Sequence, residues 1–343
     1  MYRTADEPNS ASVLDRASDA VSRGQSGRGD QDKPAPIEGR IGVVGLGRMG
    51  TAMAANLVVA GRKVIGYVRR PEQANELVAL GLDATSDVAD LSDCEIVISM
   101  LPDDAALREV VYGHKRTGTG GLADRLMPGA IHLSMSTISP AAASELARAH
   151  AQRGQRYVAA PVFGNPDAAK ARELFIITAG ATADIKRCQP IFDVLGQRTF
   201  VVGNDPAAAN LIKLAGNAMS AAGLEILSEI LTLARKRGAD PQQVLTILTE
   251  TMHGSRFNKI YGDKIVKAQY APGNFAFPLV LKDIRLALNE AETAGVPMPA
   301  ISVVRDRLIS GIARGYSRRD WSALGMLAAT DAGLIPEPEK TSN

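Results

Sequence analysis

The sequence predicts an α/β fold in which a doubly wound parallel sheet is followed by an all-helical region. Two observations carry this prediction. From Arg40 to Val202, short apolar segments alternate with segments of helical periodicity, a pattern typical of a parallel sheet covered by helices. After Val202 the strand pattern stops, and apolar residues recur at helical spacing. A chain of 343 residues is long enough for two domains with buried cores.

The α/β region is predicted from its apolar runs. Strands are predicted at residues 40–44, 63–67, 95–100, 130–133, 156–159, 174–178 and 199–202. Helices are predicted between them, at residues 47–60, 72–80, 104–110, 140–153 and 183–195. Gly154 and Gly196 follow two of these helices, where a left-handed residue commonly ends a helix.

The helical region is predicted to begin at Asp205, which can cap a helix whose first residue is Pro206. A long helix is predicted from there to about Arg237, before Gly238. Further helices are predicted at residues 241–251, 279–294 and 300–314, with a break around residues 271–273. We therefore predict domains at residues 39–203 and 204–335, followed by a short tail at residues 336–343. The Ser- and Gly-rich residues 1–38 are predicted to be a disordered tail, with an upstream start codon as the alternative account.

A glycine pattern follows the first predicted strand. Residues 41–50 read Ile-Gly-Val-Val-Gly-Leu-Gly-Arg-Met-Gly, which contains G-x-G-x-x-G. Gly45 allows a tight turn, Gly47 removes a side chain that would keep a pyrophosphate from the backbone, and Gly50 lets the next helix approach the strand. This pattern also occurs in structural loops, but here a strand precedes it and a helix follows. It therefore predicts a dinucleotide site in a sheet of the Rossmann type.

The residues after the second predicted strand indicate which dinucleotide is bound. A site for NAD would place Asp or Glu there to bind the ribose 2′-hydroxyl, whereas this chain has Arg69 and Arg70. A guanidinium can hold a 2′-phosphate through paired hydrogen bonds. We therefore predict NADP(H) as the cofactor. The alternative is a pair of solvated loop arginines.

One lysine stands alone on an apolar helix. Asn210, Lys213 and Asn217 are spaced to share one face of the long helix, and the next charged residue is Glu225. Burial would lower the pKa of Lys213, and the nearby helix N-terminus acts in the same direction. Such a lysine can donate a proton to an oxygen that gains negative charge as hydride arrives. The alternative is a lysine whose ammonium group reaches water.

From about Arg40 to Leu334 the chain resembles the β-hydroxyacid dehydrogenase family, which includes 3-hydroxyisobutyrate dehydrogenases, tartronate semialdehyde reductases and glyoxylate/succinic semialdehyde reductases. The matching motifs, in the order of the family, are Gly45-Leu46-Gly47-Arg48-Met49-Gly50, Arg69, Met100-Leu101-Pro102, Ser136-Thr137-Ile138-Ser139-Pro140, Lys213 with Asn217, and Lys282-Asp283. The resemblance implies a helical domain of the 6-phosphogluconate dehydrogenase type and an NADP(H)-dependent dehydrogenase or reductase that acts on CH–OH. It also implies a homodimer or homotetramer with interlocked helical domains.

The resemblance also implies roles for individual residues. Lys213 would be the catalytic acid and base, and Asn217 would orient the substrate. The cofactor-binding residues would be the glycine fingerprint with Leu46, Arg48 and Met49, and also Arg69, Met100, Leu101, Pro102, Thr137 and Lys282. Ser136 and Thr137 would hold the polar end of the substrate, with a plain helix cap before Pro140 as the alternative. For Lys282, the alternative is a surface ion pair with Asp283.

One segment departs from the pattern of the family. The family's substrate motif usually reads D-A-P-V-S-G-G, whereas residues 159–165 read Ala-Ala-Pro-Val-Phe-Gly-Asn. Phe163 thus replaces a hydroxyl with an apolar ring, beside Gly164. We predict that both residues line a substrate pocket suited to a different or more apolar carbonyl or imine compound. Imine reduction and a non-catalytic binding scaffold remain alternatives, although imine reductases usually have Asp or Tyr at position 213 and the scaffolds lose this lysine.

Composition narrows the class of partner. The net charge is +2 and basic residues are scattered, so we predict a small-molecule substrate and neither nucleic acid nor a membrane as partner. No apolar run reaches membrane-spanning length. The two cysteines lie far apart and the four histidines are scattered singly, so no metal site is predicted. No secretory or transit signal is predicted in the acidic first tail, which favours a cytoplasmic protein.

Overall fold

An α/β part is followed by a helical part, which confirms the predicted fold class. A computed structural model of the chain describes residues 39–113, 120–271 and 275–334. The predicted tails at residues 1–38 and 336–343 lie outside the described residues, and so do Pro272 and Gly273 of the predicted break.

The described residues form two sheets and a set of helices. The strands are β1 Arg40–Val44, β2 Val64–Tyr67, β3 Asp83–Thr85, β4 Cys94–Ser99, β5 Ile131–Ser134, β6 Arg156–Ala159, β7 Val162–Phe163, β8 Leu174–Thr178 and β9 Gly196–Val201. The helices are α1 Arg48–Val59, α2 Ala74–Val78, α3 Asp104–Tyr112, α4 Leu122–Arg125, α5 Pro140–Ala151, α6 Pro166–Lys170, α7 Thr182–Leu195, α8 Pro206–Lys236, α9 Pro241–Glu250, α10 Arg256–Val266, α11 Phe277–Thr293, α12 Pro299–Ala313 and α13 Leu324–Asp331.

The large sheet is parallel, with the strand order β3-β2-β1-β4-β5-β6. Both faces of the central strand β1 are buried, and its side chains at Ile41, Val43 and Val44 are accordingly apolar. The strand order changes direction between β1 and β4, which opens a crevice beyond their carboxyl ends. The glycine pattern follows β1 and Met100-Leu101-Pro102 follows β4, so both predicted cofactor segments border this crevice.

A second sheet contains the last two predicted strands. β7, β8 and β9 form a three-stranded sheet in which β7 and β8 are antiparallel and β8 and β9 are parallel. The predicted strands at residues 174–178 and 199–202 therefore do not extend the parallel sheet. The large sheet ends at β6 because the chain turns at Pro161 and then pairs antiparallel with β8. An isolated bridge between Ala159 and Ala179 joins the two sheets.

Two glycines after predicted helices behave differently. Gly154 follows α5 with a φ of +70°, the left-handed conformation that the sequence predicts. Gly196 follows α7 with a φ of −134°, so the predicted left-handed ending is wrong there. Gly196 instead begins β9 directly, and an added Cβ would lie 2.6 Å from the carbonyl oxygen of Leu174. Close pairing of β8 and β9 is the reason for glycine at this position.

Helix α8 organises the helical part. It begins at the Asp205 cap and runs for 31 residues, and Gly238 follows it with a φ of +73°. Its side chains at Leu214, Leu224 and Leu231 are fully buried in the helical core. Helices α10, α11 and α13 pack on it, and α5 of the α/β part packs on it as well. One rigid element therefore spans both parts of the chain.

Helix α10 was not predicted from the sequence. Gly262 interrupts its helical pattern, and half of its other residues are polar. In the structure, an added Cβ at Gly262 would overlap the side chain of Leu245 from α9. The glycine that weakens the sequence pattern is thus required by close packing of the two helices. β3 was also missed, because its short run of side chains is exposed or half-buried.

A chain of buried polar side chains crosses the interior of the large sheet. His132 Nδ1 lies 2.8 Å from His150 Nε2, and His132 Nε2 lies 2.9 Å from the Ser99 hydroxyl. His150 Nδ1 lies 2.7 Å from Gln155 Oε1, whose amide nitrogen donates to the carbonyl oxygens of Ala123 and Leu126. Because Gln155 Oε1 can only accept, each histidine donates from Nδ1 and accepts at Nε2. Burial lowers the pKa of both histidines, so both are neutral.

Within residues 39–113, 120–271 and 275–334, no group of three or more His, Cys, Asp and Glu side chains is placed to hold a metal ion. In the same ranges, no helix combines the length and apolar character needed to cross a membrane. Cys94 and Cys188 are buried free thiols, and burial raises the pKa of both.

Candidate active site

The turn after β1 fits only glycine at two positions. Gly45 has a φ of +92°, and an added Cβ would overlap the carbonyl group of Met100. An added Cβ at Gly50 would overlap the carbonyl oxygen of Gly45, so α1 begins directly against the strand end. An added Cβ at Gly47 would meet no protein atom within 4 Å. The space beside Gly47 is therefore open to a ligand.

The first turn of α1 faces this open space. Gly47 precedes α1 and gives its first turn no side-chain hydrogen bond. Leu46 and Met49 are half-buried against the core, whereas Gly47 and Arg48 are exposed. A helix N-terminus with accessible backbone favours an anion. These residues fit the pyrophosphate of a dinucleotide.

Arg69 and Arg70 follow β2, the neighbour of β1 in the large sheet. Both side chains are exposed. The residue before them, Val68, is buried, and its N–H group donates to the carbonyl oxygen of Thr85 at 2.9 Å. The loop is thus fixed to β3 while its two guanidinium groups stay accessible. That arrangement fits a ribose phosphate at the carboxyl edge of the sheet.

The loop after β4 is held by Ser136. The Leu101 N–H group donates to the Ser136 hydroxyl at 2.8 Å, and this hydroxyl donates to the carbonyl oxygen of Ser99 at 3.2 Å. Ser136 is fully buried. The Ser136 side chain therefore supports the Met100-Leu101-Pro102 loop. Because its hydroxyl is engaged within the protein, Ser136 has only backbone groups left for the predicted substrate contact. The helix cap before Pro140 is made by Ser139, whose hydroxyl accepts from Ala142 N at 3.1 Å.

Lys213 begins a chain of buried polar groups. Its Nζ donates to Asn217 Oδ1 at 2.9 Å, and Asn217 Nδ2 donates to Asp283 Oδ2 at 2.6 Å. Asp283 Oδ1 lies 2.8 Å from Lys282 Nζ, which also donates to the carbonyl oxygen of Thr137 at 2.6 Å. The chain connects α8 with α11 and with the loop after β5. Lys282 thus makes the predicted pair with Asp283 and also reaches the Thr137 segment.

Burial dominates the electrostatics of Lys213. Lys213 is 7% exposed, and desolvation lowers the pKa of its ammonium group to about 8. The carboxylate of Asp283 opposes this shift, and the charge of Lys282 adds to it. The predicted lowering of the pKa is therefore confirmed. Asn210 is buried on the same face, but its amide donates to the carbonyl oxygen of Pro206 at 3.5 Å and does not join the chain.

Phe163 lies directly beside Lys213. The centroid of its ring is 4.5 Å from Lys213 Nζ, within the range of a cation–π contact. Gly164 follows with a φ of +143°, and Asn165 then caps α6 by accepting from Ala168 N at 2.9 Å. The departure from the family's motif thus has two structural results. The aromatic ring of Phe163 lies beside Lys213, and Asn165 caps the short helix α6.

Asp283 and Gly216 were not predicted as site residues. Asp283 is 2% exposed and is the acceptor that fixes the Asn217 amide. The sequence contained a signal for it, because a buried asparagine beside a lysine needs an acceptor for its own NH₂ group. Gly216 carries no comparable signal. Its importance is visible only in the packing of the Phe163 ring against α8.

Two family models match this chain. Residues 40–203 match the family model described as the NAD binding domain of 6-phosphogluconate dehydrogenase. Residues 207–328 match the one described as the NAD-binding of NADP-dependent 3-hydroxyisobutyrate dehydrogenase. The uncharacterized oxidoreductase YfjR of Bacillus subtilis (strain 168) is 37% identical over 287 residues, which are 83% of this chain and 98% of the relative.

Two further proteins extend the comparison. The 2-hydroxy-3-oxopropionate reductase of Escherichia coli (strain K12) is 32% identical over 288 residues, which are 83% of this chain and 95% of that protein. The crystal structure of 3-hydroxyisobutyrate dehydrogenase from Salmonella typhimurium has the same fold, with a TM-score of 0.75 at 24% identity over 84% of this chain and 100% of the other. The chain therefore belongs to the β-hydroxyacid dehydrogenase family of NAD(P)-dependent oxidoreductases.

Proposed function

We propose that the protein is an NADP(H)-dependent oxidoreductase that transfers hydride between nicotinamide and a small carbonyl or hydroxy acid compound, with Lys213 as general acid and base. The observation that carries this proposal is the buried chain from Lys213 through Asn217 to Asp283. Burial of an ammonium group is unfavourable and is expected where its charge is used. A carbonyl oxygen that gains negative charge is a suitable partner for it.

Lys213 holds and protonates the oxygen of the reacting group in this proposal. When bound, NADPH supplies the hydride. Reduction uses the ammonium form, which hydrogen-bonds the carbonyl oxygen and gives it a proton, and oxidation uses the neutral amine, which removes the hydroxyl proton. A pKa of about 8 makes both forms accessible near neutral pH. Because Asp283 accepts from the Asn217 NH₂ group, the oxygen of that amide is turned toward Lys213.

Lys213→Met tests the catalytic assignment. We expect turnover to fall by about 10²–10⁴-fold, the usual contribution of a positioned acid or base. Binding of NADPH, measured by fluorescence titration, is expected to be retained. Lys236→Met is the matched control, because Lys236 is an exposed residue of the same helix. Near-normal turnover of Lys213→Met would remove this lysine from the mechanism.

We propose NADP(H) rather than NAD(H) as the cofactor, on the support of Arg69 and Arg70 after β2. Arg69→Ala is expected to raise KM for NADPH by about 10–100-fold, since a hydrogen bond to a charged group contributes about 1.5–3 kcal/mol. KM for NADH is the internal control and is expected to stay the same, because NADH has no 2′-phosphate. A clear preference of the unmodified protein for NADH would contradict this assignment.

The proposed substrate contacts come from Ser136, Thr137, Phe163 and Gly164. The resemblance to the 2-hydroxy-3-oxopropionate reductase supports a small carbonyl or hydroxy acid substrate. Imine reduction is the second candidate, and the observation that favours it is the apolar ring of Phe163 beside Lys213. NADPH oxidation with aldehydes, keto acids and cyclic imines separates the two candidates. No turnover with any of them would favour a non-catalytic scaffold.

We propose a homodimer or homotetramer held by an exposed apolar stripe of α8. Ile212, Met219, Ile226 and Leu233 recur at every seventh residue and are exposed, Met219 to 79%. Apolar residues at this spacing on a helix surface are typical of a helix–helix contact. Met219→Glu is expected to lower the molar mass measured by light scattering to that of a single chain. An unchanged mass would place the contact elsewhere.

Domain organisation and location complete the proposal. We propose domains at residues 39–203 and 204–335, supported by the position of Asp205 at the start of α8. We also propose a cytoplasmic location, supported by the buried free thiols of Cys94 and Cys188. Limited proteolysis tests the first proposal through cleavage near residue 204. Fractionation of cells that express a tagged chain tests the second.

A further inference from the structure

The ring of Phe163 occupies a gap in the surface of α8. At Gly216, an added Cβ would overlap Phe163 Cζ and would lie 2.6 Å from Phe163 Cε1. Gly216 is three residues after Lys213, so both lie on the same side of the helix. The ring of Phe163 therefore packs directly against the backbone of α8 at Gly216, with Lys213 Nζ 4.5 Å from the ring centroid.

The backbone of Phe163 is fixed from the other side. Phe163 belongs to β7 and pairs with Phe175 of β8. At the next residue, Gly164, an added Cβ would lie 2.6 Å from Leu174 Cδ2. The strand pairing holds the backbone of Phe163, and the missing side chain at Gly216 leaves room for its ring against α8. The ring therefore lines the site beside Lys213.

We propose that Phe163, seated on Gly216, determines substrate specificity by selecting carbonyl compounds with an aryl or bulky alkyl group near the reacting carbon over short aldehydes with a carboxylate. This inference rests on the proposed reduction at Lys213. A ring edge or face offers a carboxylate no hydrogen-bond donor, so a carboxylate beside Phe163 would lose water without compensation from this residue. An aryl or alkyl group instead gains apolar contact with the ring.

Two aldehydes of equal chain length test this selection. Succinic semialdehyde and 3-phenylpropanal share the unit OHC–CH₂–CH₂ and differ only in a terminal carboxylate or phenyl group. The unmodified protein is expected to favour 3-phenylpropanal in kcat/KM by about tenfold or more. Phe163→Ser is expected to shift this ratio toward succinic semialdehyde by at least about tenfold, and Phe163→Leu to keep the preference for the phenyl compound. An unchanged ratio in Phe163→Ser would overturn the inference.

Gly216 provides a second test that does not depend on Phe163→Ser alone. Gly216→Ala is expected to lower kcat/KM for 3-phenylpropanal in the unmodified background, because the methyl group displaces the ring. In the Phe163→Ser background the methyl group has room, so the same substitution is expected to have a smaller effect. Gly223→Ala is the control on the same helix, since an added Cβ there meets nothing within 4 Å. Equal effects of Gly216→Ala in both backgrounds would show that Gly216 does not seat the ring.

The failure of this inference is distinguishable from the failure of the proposed function. If the unmodified protein does not oxidise NADPH with either aldehyde, with keto acids or with cyclic imines, both the proposed function and this inference are overturned. If it reduces aldehydes in a Lys213-dependent way but the ratio does not respond to Phe163→Ser, only the specificity inference is overturned. Circular dichroism spectra of each variant verify that the fold is retained.

Discussion

The buried charge of Lys213 predicts an unusual dependence of stability on pH. Its pKa is about 8, against 10.5 for an ordinary lysine, and this difference corresponds to about 3 kcal/mol. The residue is almost fully buried, so little of this free energy is screened by solvent. Lys213→Met removes the titrating group and leaves a side chain of similar length. The contribution of one lysine can therefore be isolated by comparing the two proteins.

The direction of the effect follows from proton binding. The folded protein releases the Lys213 proton near pH 8, whereas the unfolded chain keeps it to about pH 10.5. Between these values the unfolded chain binds more protons, so the stability contributed by Lys213 rises with pH. The stabilising contribution is complete above pH 10.5 and is lost as pH falls through 8. We expect the free energy of unfolding of the unmodified protein, minus that of Lys213→Met, to increase by up to about 3 kcal/mol across this window.

Urea unfolding monitored by circular dichroism, at half-unit steps from about pH 7 to 10.5, measures this difference. Other groups that titrate in this range are present in both proteins, so their contributions cancel. Lys236→Met serves as the control and is expected to show a flat difference, because Lys236 is exposed. A flat difference for Lys213→Met would refute the reasoning. It would mean that the ammonium group reaches water in the folded protein.

Two other substitutions test the scaffold around the site. His132→Phe is expected to destabilise the fold by about 2–5 kcal/mol in thermal unfolding, because the Ser99 hydroxyl and His150 Nε2 lose their buried partner. Burial lowers the pKa of both histidines below 6.5, so their stabilising contribution is expected to be lost as pH falls from 6.5 toward the lowered folded pKa. A stability difference between the unmodified protein and His132→Phe that does not change below neutral pH would contradict it. Gly45→Ala is expected to weaken NADPH binding at least tenfold, because it adds an overlap with the Met100 carbonyl to the strain of a positive φ. Gly61 has a φ of +77° and open space around it, so Gly61→Ala isolates the effect of backbone strain. Equal losses of NADPH affinity in the two variants would argue against the overlap at Gly45.

The sequence predicts those parts of the site that depend on short spacings. Lys213 and Asn217 are four residues apart, and a helix brings such residues together whatever surrounds it. The positions of Gly45, Gly47 and Gly50 likewise follow from one strand, one turn and one helix. Each of these predictions needs only local geometry. In these cases the spacing along one helix or one turn is enough to decide which residues meet.

The contacts that the sequence does not predict join distant segments. Asp283 meets Asn217 across 66 residues, and no spacing rule connects them. Gly262 weakens a helical pattern locally, yet it is required because Leu245 of another helix fills the space beside it. The position of β8 in a second sheet depends on its antiparallel pairing with β7, a strand of two residues. In each case the contact depends on a residue or strand that is distant in sequence, and local helix or strand propensity does not reveal that partner.

The second sheet is also what brings Phe163 to Lys213. Antiparallel pairing of β7 with β8 fixes Phe163 where its ring meets the gap at Gly216. The glycine turn and Lys213 belong to long, regular elements, whereas Phe163 belongs to a two-residue strand. We therefore expect a substitution at position 163 to change the proposed substrate preference while the proposed cofactor site and Lys213 stay in place.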